Sequence, residues 1–136
     1  WPLVKALVDA GIEVHAMRDP TRGGVAACCV EMAASSNTTV ELEEARIPVK
    51  TEVRAACELL GLDPLVVANE GKLVAFVSEA DALRALDLLR SQPGGVQVAL
   101  IGTVREQRAV PAYLKTRFGG ERVLDMPYGE ELPRIC

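Results

Sequence analysis

The sequence predicts an α/β fold, one mixed β-sheet with helices packed on it, and three observations carry that expectation. Helical and strand-like patterns alternate along the chain, and neighbouring strand-like runs lie close enough to pair antiparallel. The 136 residues are 49% hydrophobic and 25% charged, the profile of one domain able to bury its own core. No internal linker, repeat or low-complexity tract interrupts it. The expected division is an α/β domain over residues 1–125 and a flexible C-terminal tail over residues 126–136.

The elements follow in order. Residues 2–10 place apolar side chains at helical spacing, and Gly11 suits the position that closes such a helix. Ile12-Glu13-Val14-His15-Ala16-Met17 alternates like a short strand and runs into Arg18-Asp19-Pro20-Thr21-Arg22-Gly23-Gly24, a glycine-rich turn. The apolar run from Val25 to Ala34 then reads as a buried helix. Thr38 to Val49 reads as extended, with β-compatible Thr39, Val40, Leu42 and Ile47. Thr51 is placed as the cap of a second helix that Gly61 stops. Asp63-Pro64 turns the chain into a strand-like Leu65-Val66-Val67-Ala68. Asn69-Glu70-Gly71 then makes a hairpin-like break before a strand over Lys72 to Val77. Ser78 to Arg90 is the clearest amphipathic helix, with Ala82, Leu83, Leu86 and Leu89 on one face. Val96 to Val104 and Ala109 to Phe118 read as further strands, and Gly119-Gly120 turns into the tail.

Composition excludes several classes of function. The net charge of −4 and the 4% aromatic content fit neither a basic nucleic-acid surface nor a base-stacking platform. No apolar run approaches the roughly 20 residues that span a bilayer, and no leader-like segment precedes the domain, so no membrane is expected and the cytoplasm is the expected compartment. The chain starts at Trp1 and enters a helix at once, the pattern expected of a piece of a longer protein. Cys28, Cys29 and Cys57 sit in apolar helical patterns as ordinary core thiols rather than a disulfide framework. His15 is the one histidine, so no Cys/His metal spacing or Cys-His pair arises, and no metal-ligand set is assigned.

Three constellations can carry chemistry. In Asp19-Pro20-Thr21-Arg22-Gly23-Gly24, paired glycines at a helix mouth let backbone N–H groups approach an anion, and Arg22 offers a fork for phosphate oxygens. Asp19 can hold a cation or orient a donor. A capped turn satisfied by Thr21 or Asp19 explains the same residues structurally. In Asn69-Glu70-Gly71, an acid in a tight turn can serve as a general base or position a phosphate-bound magnesium, and an ordinary turn with Glu70 in water is the alternative. The third is the ending, Pro133-Arg134-Ile135-Cys136. Pro127, Gly129 and Pro133 break any regular pattern, and at about 3.3 Å per residue a tail from Met126 reaches on the order of 30 Å. Arg134 favours the thiolate of Cys136 and the terminal carboxylate opposes it. What a terminal cysteine offers is mobility between sites.

Taken in order, Met17-Arg18-Asp19-Pro20-Thr21-Arg22-Gly23-Gly24, Asn69-Glu70-Gly71 and the Pro-Arg-Ile-Cys ending resemble the C-terminal domain of the hydrogenase maturation factor HypE. The glycine-rich turn alone is similar to that of the wider superfamily of aminoimidazole-ribonucleotide synthetase, selenophosphate synthetase and thiamine-monophosphate kinase, which lack the cysteine tail. The resemblance implies that Cys136 carries a carbamoyl group loaded by a HypF-type carbamoyltransferase. ATP-dependent dehydration then gives a thiocyanate, whose cyanide passes to iron on a HypC–HypD complex for [NiFe]-hydrogenase assembly. It implies a catalytic role for Glu70 in proton removal. Asp19, Thr21, Arg22, Gly23, Gly24 and Asn69 would meet the nucleotide phosphates or the incoming tail. It further implies a homodimeric full-length protein whose N-terminal domain supplies most of the ATP and Mg site, so this chain alone is expected to fold without dehydrating a carbamoylated cysteine. A related ATP-dependent synthetase or kinase domain acting on a phosphate substrate, and a non-catalytic interaction module, are the other two readings.

Overall fold

The computed structural model describes residues 1–126; the tail residues that follow, Cys136 among them, lie outside the described part. The chain is α/β, and it forms two compact units, one of residues 1–18 and 75–100, the other of residues 19–74 and 101 onward.

The first unit holds helix α1 (Pro2–Asp9), strand β1 (Val14–Arg18), strand β3 (Val74–Val77) and helix α4 (Ala82–Arg90), with β1 and β3 forming a two-stranded sheet. Helices α1 and α4 each bury one apolar stripe. Leu7, Ile12 and Ala85 are buried at the centre, with Val14, Val77, Leu88 and Leu89 packed against them. Polar groups tie the turns to this core. The Glu13 N–H donates to Asp81 Oδ2 at 2.8 Å, Arg84 pairs with Asp81 at 3.0 Å, and Arg84 also donates to the Gly11 carbonyl at 3.2 Å. The helix read over Ser78–Arg90 is in fact a 3-10 turn, Glu79–Asp81, with α4 behind it. Ser78 is the cap, its hydroxyl accepting the Asp81 N–H.

The second unit is built from helix α2 (Gly24–Ser36), strand β2 (Thr38–Glu43), helix α3 (Thr51–Leu60), and strands β4 (Gly102–Glu106), β5 (Ala112–Lys115) and β6 (Glu121–Val123). Its sheet runs in the order β4-β2-β5-β6 and is mixed: β2 pairs antiparallel with β4 and parallel with β5, and β5 pairs antiparallel with β6. The pleat puts Val40, Leu42, Ala112 and Leu114 on one face, all buried, and α2 packs on β2 and β5 through small residues. On the opposite face, register brings Glu41 beside Tyr113.

Several expected boundaries are corrected. Residues 65–68 are not a strand, because their backbone bonds go elsewhere: the Leu65 carbonyl accepts the N–H of Ala26 in α2, and the Val66 N–H turns back to the Asp63 carbonyl. Asn69-Glu70-Gly71 is therefore a turn leading into β3, not a hairpin between two strands. Val96 to Ile101 is also irregular, since the Val98 N–H turns back to Gly95 and the Val98 carbonyl accepts from Arg90. Thr51 is the first helical residue of α3, and the cap position falls to Lys50 without a side-chain bond. Beyond Gly119-Gly120 the chain returns as β6, an edge strand of three residues too short to register in the pattern. The extended stretch from Thr38 ends earlier than expected, in a 3-10 turn over Glu44–Arg46.

Candidate functional site

Strand β1 delivers the chain into residues 19–24, and the geometry there is set by two glycines. Gly23 caps α2 at φ 64°, and Gly24 follows at φ 62°, both in the left-handed region that L side chains avoid. Gly24 is buried, and a Cβ on it would fall 2.3 Å from the Leu65 carbonyl oxygen and 2.8 Å from that of Val67. The glycine thus allows the segment after α3 to lie directly on the helix mouth. Two backbone bonds hold it there: Ala26 N–H to Leu65 O at 2.9 Å, and Asn69 N–H to Pro20 O at 3.0 Å. Pro20 itself is fully buried.

The segment has its own fixture at the other end. Gly61 closes α3 in a left-handed conformation, and Asp63 Oδ1 accepts the Leu65 N–H at 2.9 Å in a side-chain-capped turn. Arg122 holds the second carboxylate oxygen of Asp63. Residues 63–69 are pinned at both ends, and the two motifs separated by about fifty residues in sequence become neighbours within one unit.

Asp19, Arg22 and Glu70 are exposed, while Thr21 and Asn69 are half-buried. Among the described residues none of these five side chains makes a hydrogen bond or ion pair, so the polar groups of both turns are uncommitted. In particular, α2 has no side-chain cap, so neither Thr21 nor Asp19 satisfies the helix start, while Gly24 does permit the tight packing of a structural turn. The helix mouth is partly occupied, however: the Ala26 N–H is satisfied by Leu65. An incoming phosphate would meet the Arg22 guanidinium and the Thr21 hydroxyl, with fewer free amides than a glycine-rich loop before a helix suggests. Asp19 is one carboxylate available to a phosphate-bound cation; the described residues hold no cluster of three His, Cys, Asp or Glu side chains.

A second polar feature was not anticipated from the sequence. Glu41 is buried in the sheet, where it accepts from the Tyr113 hydroxyl and pairs with Lys115 at 2.9 Å and Arg105 at 3.3 Å. The Tyr113 hydrogen bond, helped by Lys115 and Arg105, holds its carboxyl at about 2 against the opposing effect of burial. Arg108 stacks over the Tyr113 ring at 4.4 Å. Only the alternation Thr39-Val40-Glu41-Leu42 could have flagged Glu41 as an acid within a buried strand. Cys29 is an inert thiol, pushed up to about 12 by burial and by its neighbour Cys28.

Residues 2–115 match the AIR synthase related protein family, C-terminal domain. The chain belongs to that family. For this AIR synthase related domain, carbamoyl dehydratase HypE of Azotobacter vinelandii is 48% identical over 134 residues, which is 98% of this chain and 39% of that protein. The chain therefore spans well under half the length of such relatives. A crystal structure of hydrogenase maturation protein HypE in complex with ATP superposes with a TM-score of 0.91 at 41% identity, covering 99% of this chain and 42% of that one. A HypE–HypF complex superposes at 0.86 and 36% identity, over 93% of this chain and 41% of that one. The resemblance read from the two turns and the ending is thus met by relatives that carry the HypE name.

Proposed function

We propose that this domain is the carrier part of an ATP-dependent carbamoyl dehydratase that makes the cyanide ligands of [NiFe]-hydrogenase. The observation that supports the reading is the backbone bond from the Asn69 N–H to the Pro20 carbonyl, which joins the turn that carries Glu70 to the turn that carries Asp19, Thr21 and Arg22. The likeness to HypE proteins over nearly the whole chain supports it.

The chemistry asks for what these residues offer. Cys136 carries a carbamoyl group as a thiocarbamate. Its oxygen is a poor leaving group, and ATP supplies the phosphoryl group that makes it a good one. One proton leaves nitrogen to the medium when the oxygen is phosphorylated, and the other leaves as phosphate departs with the C–O bond and the C≡N bond forms; Glu70 is the base we assign to that second proton. Arg22 and Thr21 would steady the phosphate oxygens, Asp19 would be one carboxylate available to an accompanying Mg ion held mainly by the protein's other domain, and Asn69 would meet the nucleotide or the incoming tail. Gly23 keeps the backbone low enough for that approach, and Gly24 lets the segment that leads to Asn69 lie against the helix mouth. A HypF-type carbamoyltransferase loads the sulfur, and a HypC–HypD complex receives the cyanide. The working protein is a cytoplasmic homodimer whose other domain completes the ATP site, and the chain by itself does not dehydrate. No helix among the described residues is long and apolar enough to cross a membrane.

The test is to incubate the full-length protein with ATP, carbamoyl phosphate and the transferase and to weigh its C-terminal peptide. The expected result is one carbamoyl group on Cys136, then loss of one water, both abolished by Cys136→Ala. An unmodified tail with turnover of a small phosphate substrate would instead favour the kinase or synthetase reading. If neither result is seen, the interaction module is the reading that is left.

A further inference from the structure

The strand after which the chain runs on to Cys136 and the segment that leads to Glu70 share one ion pair. Strand β6 is a three-residue edge strand, and register sets Arg122 opposite Leu114 of β5, on the sheet face where α2 packs. From there the Arg122 guanidinium holds Asp63 Oδ2. The other carboxylate oxygen, Oδ1, accepts the Leu65 N–H at 2.9 Å, and the Leu65 carbonyl accepts the Ala26 N–H in the first turn of α2. A few residues on, the Asn69 N–H reaches the Pro20 carbonyl. Strand β6 is thus joined to the segment whose far end is the turn that carries Glu70. Directly after β6, Leu124 is buried and its N–H donates to the Ala112 carbonyl at 3.0 Å, so the chain leaves the sheet from a fixed point.

The side chains of Asp63 and Arg122 are 27% and 47% exposed, so solvent screens the pair and its weight in stability is small. What the pair supplies is register between two parts that the dehydration has to bring together. A group tethered at Cys136 meets a site at an effective concentration set by where the tether starts as well as by its length. The stretch from Leu124 to Cys136 spans at most about 40 Å, short enough for its starting point to matter. We propose that Asp63 and Arg122 are positioning residues, which fix the point of departure of the carrier segment relative to the turn that carries Glu70. The inference rests on the dehydratase reading and adds to it a pair that acts through the segments it joins.

The test compares two tethers in the full-length protein, the natural one and one lengthened by about ten Gly and Ser residues inserted after Met126, for which a small shift of the starting point matters little. Each protein is loaded on Cys136 by the transferase, the transferase is removed, ATP is added, and loss of one water from the C-terminal peptide is timed by mass. Arg122→Gln, and Asp63→Asn, which keeps an oxygen for the Leu65 N–H, are each expected to slow the natural tether about fivefold, and to leave the lengthened tether within about twofold of its own parent. The double variant should be no slower than either single one, because both remove the same contact. Equal slowing of both tethers would make the pair a structural support of the Glu70 turn and overturn the proposal, as would an unchanged natural tether in Arg122→Gln. Should Asp63→Asn fail to fold, the more exposed Arg122→Gln decides the matter. If the unaltered protein dehydrates neither tether, the dehydratase reading itself falls; if it dehydrates both and the variants match it, only the positioning role does.

Discussion

The Pro20 carbonyl accepts the Asn69 N–H at 3.0 Å, and this bond lies beside the point where Gly24 meets the Leu65 and Val67 carbonyls. The glycine-rich turn and the Asn-Glu-Gly turn are therefore one structural object. Anything that separates residues 65–69 from the mouth of α2 separates the turn that carries Glu70 from the turn that carries Thr21 and Arg22.

Gly24→Ala is the sharpest test of that object. Its methyl would overlap the Leu65 carbonyl at 2.3 Å while the backbone stays at φ 62°. The expected loss is about 3 kcal/mol, from strain plus displacement of the carbonyls. Gly71→Ala has the same backbone problem at φ 72° but nothing within 4 Å, so about 1 kcal/mol is expected. Urea unfolding midpoints of the two variants read the difference, and equal losses would mean that close packing at Gly24 is unimportant.

Much of this arrangement was legible beforehand, and the part that was not has an identifiable cause. The alternation of helices and strands, the glycine closing α1, and the turn before α2 follow from local periodicity and backbone chemistry. That Val66 and Val67 are not a strand does not, because β-branched residues suit a pleated sheet until other contacts take the backbone, here Ala26 on the Leu65 carbonyl and Asp63 on the Val66 N–H. The requirement for Gly24 was half visible: two adjacent glycines mark a turn, but only the fold supplies the carbonyls that exclude a side chain. Glu41 escaped notice for a related reason. An acid in a strand reads as solvent-facing, and its partners Tyr113, Lys115 and Arg105 come from strands more than sixty residues away.

The Glu41 cluster makes stability pH-dependent in a predictable direction. Its carboxyl lies at about 2 in the folded chain and near 4.3 when unfolded. The unfolded state thus binds the proton first, and the stabilisation is fully present above about pH 4.3 and lost as pH falls toward 2. The loss is on the order of 3 kcal/mol. Glu41→Gln should flatten this part of the stability profile between pH 5 and pH 2 in denaturant titrations; an unchanged slope would assign acid sensitivity to other carboxylates.

Within the same cluster the partners are unequal. Tyr113 is buried and donates the dominant hydrogen bond, whereas the Arg105 side chain is 53% exposed. Tyr113→Phe is expected to cost about 2 kcal/mol and to raise the Glu41 pKa, visible by carboxyl NMR. Arg105→Ala should cost under about 1 kcal/mol and lose that cost in high salt.

The three described cysteines are all buried, and Cys29 is far from thiolate at neutral pH. Brief alkylation of native protein at pH 8 should leave Cys28, Cys29 and Cys57 unmodified by peptide mass, and denaturant should expose all three together. Labelling of any of them in the native state would contradict the packing of α2 or α3. The same experiment reads Cys136 apart from the core thiols, which makes it a clean background for following the carrier chemistry.

Glu70→Gln separates catalysis from folding. Glu70 is exposed and bonded to nothing among the described residues, so the substitution should leave the unfolding midpoint within about 0.5 kcal/mol. With Glu70 in the proton-acceptor role proposed above, its loss should slow conversion of carbamoylated Cys136 in the full-length protein by about 10² or more, while loading by the transferase continues. The C-terminal peptide would then accumulate one carbamoyl group without losing water. Equal rates of dehydration in the variant and the parent would remove Glu70 from the mechanism, even though its turn stays bonded to Pro20. A variant that no longer accepts the carbamoyl group would place Glu70 in docking rather than in proton transfer.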